Sequence, residues 1–135
     1  MSKLMTFLLE NKVDNLTEDI IVSDRFKVDD EILKFKIKAL TPEQFSELQK
    51  QCTKVGKKQK VTFDSKTFNE QLIINYTLEP NFRDAEAIKS AGCVSPEQLL
   101  NKVLLAGEVI TLSEEISRLS GFDKDLDEIR EEAKN

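Results

Sequence analysis

The chain has 135 residues, with 20 Lys and Arg against 25 Asp and Glu, two cysteines and no histidine. That length suits one domain, residues 1–135, which can bury roughly two-thirds of its unfolded surface without staples. A net charge of -5 works against non-specific attraction to nucleic acid or anionic membrane, and two cysteines without histidine cannot complete a zinc site of the usual ligand count.

The amino-terminal "MSKLMTFLLENKV" holds an apolar run of about six residues, too short for a signal-peptide core and far short of a membrane span. A cytoplasmic chain with reduced thiols is therefore expected. Leu4, Phe7 and Leu8 lie at i, i+3 and i+4, which predicts an amphipathic helix over 1–11 with Ser2 as its cap. The period then changes. Ile20 and Val22 alternate with Ile21 and Ser23, and "LKFKIKA" sets Leu33, Phe35 and Ile37 on one face against Lys34, Lys36 and Lys38 on the other. With Asp29, Asp30 and Glu31 as a turn, residues 19–39 read as an antiparallel β-hairpin with one wet face.

Residues 41–121 read as a helical core. "TPEQ" at 41–44 and "SPEQ" at 95–98 each combine a hydroxyl cap, proline at the first helical position and a glutamine placed to return a hydrogen bond to the cap residue. After the first start, Phe45, Leu48, Cys52 and Val55 form a stripe, with Gly56 as a stop. Val61 and Phe63 suggest a short extended piece, and Phe68, Leu72 and Tyr76 a further helix ending before Pro80. Residues 81–92 read as a loop and a short helix with Ala85 and Ile88 inward and Gly92 as C-cap. Leu99, Leu100, Val103 and Leu104 make the next stripe, and Val109, Leu112, Ile116 and Leu119 the one after, with a bend expected at Ala106 and Gly107. Residues 122–135 read as an acidic terminal helix capped by Asp123, carrying Leu126, Ile129 and Ala133 on a thin apolar line. The fold class is mainly α with a small antiparallel β-hairpin, a compact helical α+β domain.

Catalytic chemistry finds little support. Cys93 precedes a helix start, but no imidazole is available to form the usual ion pair, and a small, partly buried loop residue accounts for it. Cys52 sits on the expected core face. Asp123, Asp125 and Asp127 occupy the first, third and fifth places of a calcium loop, yet Glu128 stands where glycine is needed and Lys134 where a bidentate glutamate is needed. Lys54, Lys57, Lys58 and Lys60 make a basic loop able to touch phosphate, with only Phe63 and Phe68 as nearby aromatics. No metal, no cofactor and no enzymatic activity are expected. Apolar helical stripes remain, suited to a binding or assembly module that recognises other helices.

The order of local signals resembles the XkdN-like tail assembly chaperones of bacteriophages and prophages. The matching stretches are "LLENKVDNLTEDIIVSDRF", "LKFKIKALTPEQF", "FNEQLIINYTLEPNFRDAEAIKSAGC" and "SPEQLLNKVLLAGEVITLSEEISRLSGFDKDLDEIREEAKN", nearly the whole chain, with Ala106 where proline is more usual. The resemblance implies a non-enzymatic protein of the bacterial host cytoplasm that binds the phage tape measure protein and keeps it soluble until the tail tube forms around it. It would be absent from the finished virion and would touch no nucleic acid or membrane. The tail tube protein would be a second partner, and self-association could use the same surface. Under that reading Leu112, Ile116 and Leu119 are candidate partner anchors, with Leu126 and Ile129 as a second line. The alternatives are a regulatory helical adaptor, or a weak RNA-binding module using the Lys54–Lys60 loop.

Overall fold

The computed structural model describes residues 2–11 and 16–122. Helix α1 (Lys3–Glu10) starts at the expected cap, where the Met5 N–H donates to Ser2 Oγ at 3.2 Å. Strand β1 (Thr17–Ile20) then pairs antiparallel with β4 (Phe35–Lys38), placing Ile20 opposite Phe35. Between them β2 (Lys27–Val28) and β3 (Glu31–Ile32) make a smaller hairpin of their own. Its turn residues, Asp29 and Asp30, both have positive φ, 54° and 67°, a pair that suits the right-handed twist of a tight hairpin and that aspartate tolerates.

The expected hairpin is therefore present, with two corrections. Leu33 does not share the buried face of Phe35 and Ile37; its N–H donates to the Phe26 carbonyl at 2.7 Å, which ties it to the outer arm and leaves it exposed. A third strand, β7 (Thr77–Glu79), joins the free edge of β4 to give the order β1-β4-β7. That strand was not expected, because three residues with only Thr77 buried carry no readable alternation. It makes β4 the central strand, with Phe35 and Ile37 sealed beneath the helices.

Helix α2 (Pro42–Gln51) has the full reciprocal cap: Gln44 N–H donates to Thr41 Oγ1 at 3.2 Å and Thr41 N–H to Gln44 Oε1 at 2.9 Å. Its stripe stops at Cys52. Val55, 72% exposed, lies instead in β5 (Thr53–Val55), which pairs with β6 (Val61–Phe63) across a tight turn at Lys57–Gln59. Gly56 closes this hairpin by donating its N–H to the Lys60 carbonyl at 2.7 Å, so it stops no helix. The extended piece at Val61 and Phe63 is as expected.

Helix α3 (Ser65–Tyr76), capped by Asp64, packs against α2, α5 and α6. Three successive residues, Leu72, Ile73 and Ile74, are buried because neighbours cover it on several sides. Helix α4 (Ala85–Ser90) turns Ala87 and Ile88 toward the core, whereas Ala85, directly after the Asp84 cap, is exposed. Gly92, at φ +73°, ends it as expected: Gly92 and Cys93 N–H groups donate to the Lys89 and Ile88 carbonyls, a reversal that needs the left-handed conformation glycine adopts freely.

Helix α5 (Pro96–Val103) is capped by Ser95, but Gln98 Oε1 accepts from the Val94 N–H rather than from Ser95. The chain then breaks. Leu104 and Leu105 are extended, and α6 (Ala106–Leu119) begins with Ala106 and Gly107 inside its first turn, so the expected bend lies two residues earlier and is a full interruption. One hydrophobic cluster runs through these elements, from Ile20 and Phe35 to Leu100, Leu112 and Ile116. The expected terminal helix at 122–135 lies beyond the described residues except for Phe122.

Candidate partner-binding surface

The interruption before α6 is held by one arginine. Arg25 Nε and Nη2 donate to Glu108 Oε2 and Oε1 at 3.0 and 2.6 Å, Nη2 also donates to the Val103 carbonyl, and the Leu105 N–H donates to Glu108 Oε1 at 2.7 Å. The Arg25 hydrogen bonds outweigh desolvation and hold the Glu108 carboxyl at about 2. The guanidinium also stacks over Phe26, whose ring packs on Phe35 of the core strand. The pair escaped the sequence reading because its members are 83 positions apart. One local signal existed: Glu108 stands at the third position of a helix, where a carboxylate returns to its own N-terminus.

Other polar contacts are likewise structural. Arg118 bridges Glu115 on α6 and Glu18 on β1. Ser120 Oγ accepts from the Leu40 N–H at 3.0 Å and donates to the Ile116 carbonyl at 2.8 Å. Asp64 is held below the usual carboxylate range by the Thr67 hydroxyl, and Glu97 by the Gln71 amide. These carboxylates are kept ionised, the opposite of a proton donor poised near neutrality.

The two thiols sit in different surroundings. Cys52 is buried, which pushes its thiol up, with Asp64 adding to the effect. Cys93 is half-buried at the exit of α4, its sulfur 3.7 Å from the Ala91 carbonyl. Among the described residues no three His, Cys, Asp or Glu side chains gather to hold a metal ion, and no helix is long and apolar enough to cross a membrane.

Apolar surface is what this molecule displays. In α1 Leu4, Met5, Phe7, Leu8 and Leu9 are 45–66% exposed and no residue is buried. Val55, Val61 and Phe63 leave the β5–β6 hairpin uncovered, and Ile110 and Phe122 rim an open groove beside α6. The α1 stripe is legible in the sequence; that no residue of it is buried is seen only in the fold, among the described residues.

The candidate anchors are distributed differently. Leu112 and Ile116 are 0% exposed and Leu119 packs against the same cluster. The first two belong to the core cluster of a helix packed against α3 and β4, and cannot reach a partner while α6 stays seated. Leu126 and Ile129 lie outside the described residues. Lys57 and Lys58 of the lysine loop lie at the tip of the β5–β6 hairpin and Lys60 just after it, whereas at its base Lys54 pairs with Asp64 at 3.9 Å and Phe63 is packed on Phe68.

Comparison with known proteins gives a consistent set of relatives. Residues 4–134 match the family model of the phage XkdN-like tail assembly chaperone protein. The chain is 31% identical over 124 residues to the Bacillus subtilis (strain 168) protein YqbN, covering 87% of this chain and 83% of that protein. It is 28% identical over 139 residues to phage-like element PBSX protein XkdN of the same organism, covering 97% and 93%. The crystal structure of YqbN superposes with a TM-score of 0.72 at 23% identity, covering 91% of this chain and 99% of that one, a likeness of fold.

Proposed function

The chain belongs to the XkdN-like phage tail assembly chaperones, and on that premise we propose that it binds the tape measure protein and keeps it soluble in the host cytoplasm during tail morphogenesis. Its role is to cover surface, without catalysis, and it leaves before the virion is complete. The carrying observation is α1, with five large apolar side chains exposed and none buried. Soluble monomers rarely display such a patch without a partner, and an eight-residue amphipathic helix suits recognition of another helix or groove. A tape measure exposes long apolar seams before tail tube subunits enclose it. A surplus of small binders on those seams shifts the client toward its soluble form by mass action.

Within this proposal α1 supplies the first contact, and Leu119, Leu126 and Ile129 a second. The tail tube protein is the partner that later takes the client over. Co-expression with the cognate tape measure protein tests the reading. The wild-type chain should raise the client's soluble fraction and co-purify with it, and Phe7→Asp with Leu8→Asp should abolish both while leaving the circular dichroism unchanged. Capture should persist at high salt, since apolar docking is not driven by counterion release. A client equally insoluble with and without the chaperone would refute the proposal, and steep loss of binding with salt would favour the lysine loop acting on RNA.

A further inference from the structure

Four aromatic rings form a continuous chain of contacts. Phe63 packs on Phe68, Phe68 on Phe45 and Phe45 on Phe122, with centroids 5.4, 5.8 and 4.8 Å apart. The two inner rings are half-buried and the two end rings exposed. Two shallow grooves follow this chain and meet at Ser46. One is lined by Phe45, Ser120 and Phe122, the other by Gln49, Lys50 and Phe63. The second opens onto the β5–β6 hairpin, where Val55 and Val61 sit directly opposite each other, both exposed. A two-stranded hairpin with an open apolar face is marginal alone. Between Thr53 and Phe63 it carries four lysines and no carboxylate.

We infer that residues 123–135 of the same chain dock along this path, laying Leu126 and Ile129 over the aromatic chain and the open hairpin face and setting their carboxylates beside Lys57 and Lys60. The segment follows directly on Phe122, the end ring, so the seat starts where the described chain stops. Charge complementarity is direct: the segment has six carboxylates against three basic side chains, facing the basic hairpin of an acidic protein. Leu126, Ile129 and Ala133 recur at spacings of three and four, a stripe too thin to stand uncovered. Length suffices: α2 followed by the three residues of β5 spans ~25 Å, and thirteen residues reach ~20 Å if wholly helical and ~40 Å if extended, so a helix with an extended end covers the path.

The competing seats are poorer. The groove beside α6 presents Glu114 and Glu115, and its one cation, Arg118, is already paired with Glu115 and Glu18; the groove on the other side of α2 presents Glu43 and Glu47. The two grooves that meet at Ser46 are lined by no carboxylate. The contact is intramolecular and needs no client, so it is independent of the chaperone reading. If a client takes Leu126 and Ile129, it must first displace them from this seat.

Paramagnetic relaxation on the full-length chain tests the inference. A spin label at Lys134→Cys, with Cys93→Ser to keep labelling specific, should strip most of the intensity from the Val55, Val61 and Phe63 amides. Lys57→Glu with Lys60→Glu should restore that intensity, and adding Asp127→Lys, Glu128→Lys and Glu131→Lys should remove it again. The inference is overturned if those amides keep their intensity in the starting chain, or if the loss survives reversal of the lysines. It is equally overturned if the loss appears when the label and the observed amides are on different copies.

Discussion

Helix α6 encloses Leu112 and Ile116 completely, whereas α1, with five large apolar side chains in eight residues, encloses none. Both are amphipathic and both have a helix-period stripe. The difference is in their neighbours: α3 and β4 lie against α6, while among the described residues no element buries a residue of α1. The strands repeat the contrast. Phe35 and Ile37 of β4 are roofed by helices, but Val55 and Val61 of the β5–β6 hairpin face water. An apolar stripe therefore states a need for cover, and the rest of the chain decides whether that cover comes from within or from a partner.

The sealed side of this comparison should be the fragile one. Leu112→Ala or Ile116→Ala removes a wholly enclosed side chain at the α3–α6 contact and should lower unfolding free energy by about 2–5 kcal/mol, read from the urea midpoint. A loss near zero would show that α6 is loosely seated and would return these residues to the candidate anchors. A smaller effect is expected where the outer arm is pinned to the helices. Glu108 is held at about 2 against an ordinary value of 4.5. With the folded value depressed, the stability it adds is present above about pH 4.5 and is lost as the pH falls toward about 2. Glu108→Gln should lower Tm at neutral pH and flatten the acid limb of its pH profile; an unchanged limb would place the acid sensitivity elsewhere.

The smallest effect on stability belongs to α1. Leu4→Ala and Phe7→Ala should shift unfolding by no more than ~0.5 kcal/mol, as for ordinary surface positions, while reducing client capture. A large loss of stability there would break the comparison, since it would mean that α1 is covered after all.

Local hydrogen-bond chemistry was the most legible part of the chain. Ser2, Thr41 and Ser95 cap the helices expected of them, Asp29 and Asp30 make the turn, and Gly92 closes α4. The errors cluster where an outcome depends on distant residues. Strand β7 exists because β4 offers it an edge, and Val55 leaves the α2 stripe because Val61 pairs with it. Glu108 was passed over because its partner arrives from the loop before β2. Among the candidate anchors, Leu112 and Ile116 carried the right periodicity for contact with a partner, but they are sealed in the chain's own core.

By itself the sequence determined where α1, α2 and α5 begin, where the main turn falls, which stripes are apolar, and the family to which the chain belongs. Caps and turns are bonds between residues no more than about four positions apart, so their outcome is written in one short window. Tertiary structure alone decided which stripes are sealed and which stay open. Burial is the meeting of surfaces from remote parts of the chain, and no single window contains both.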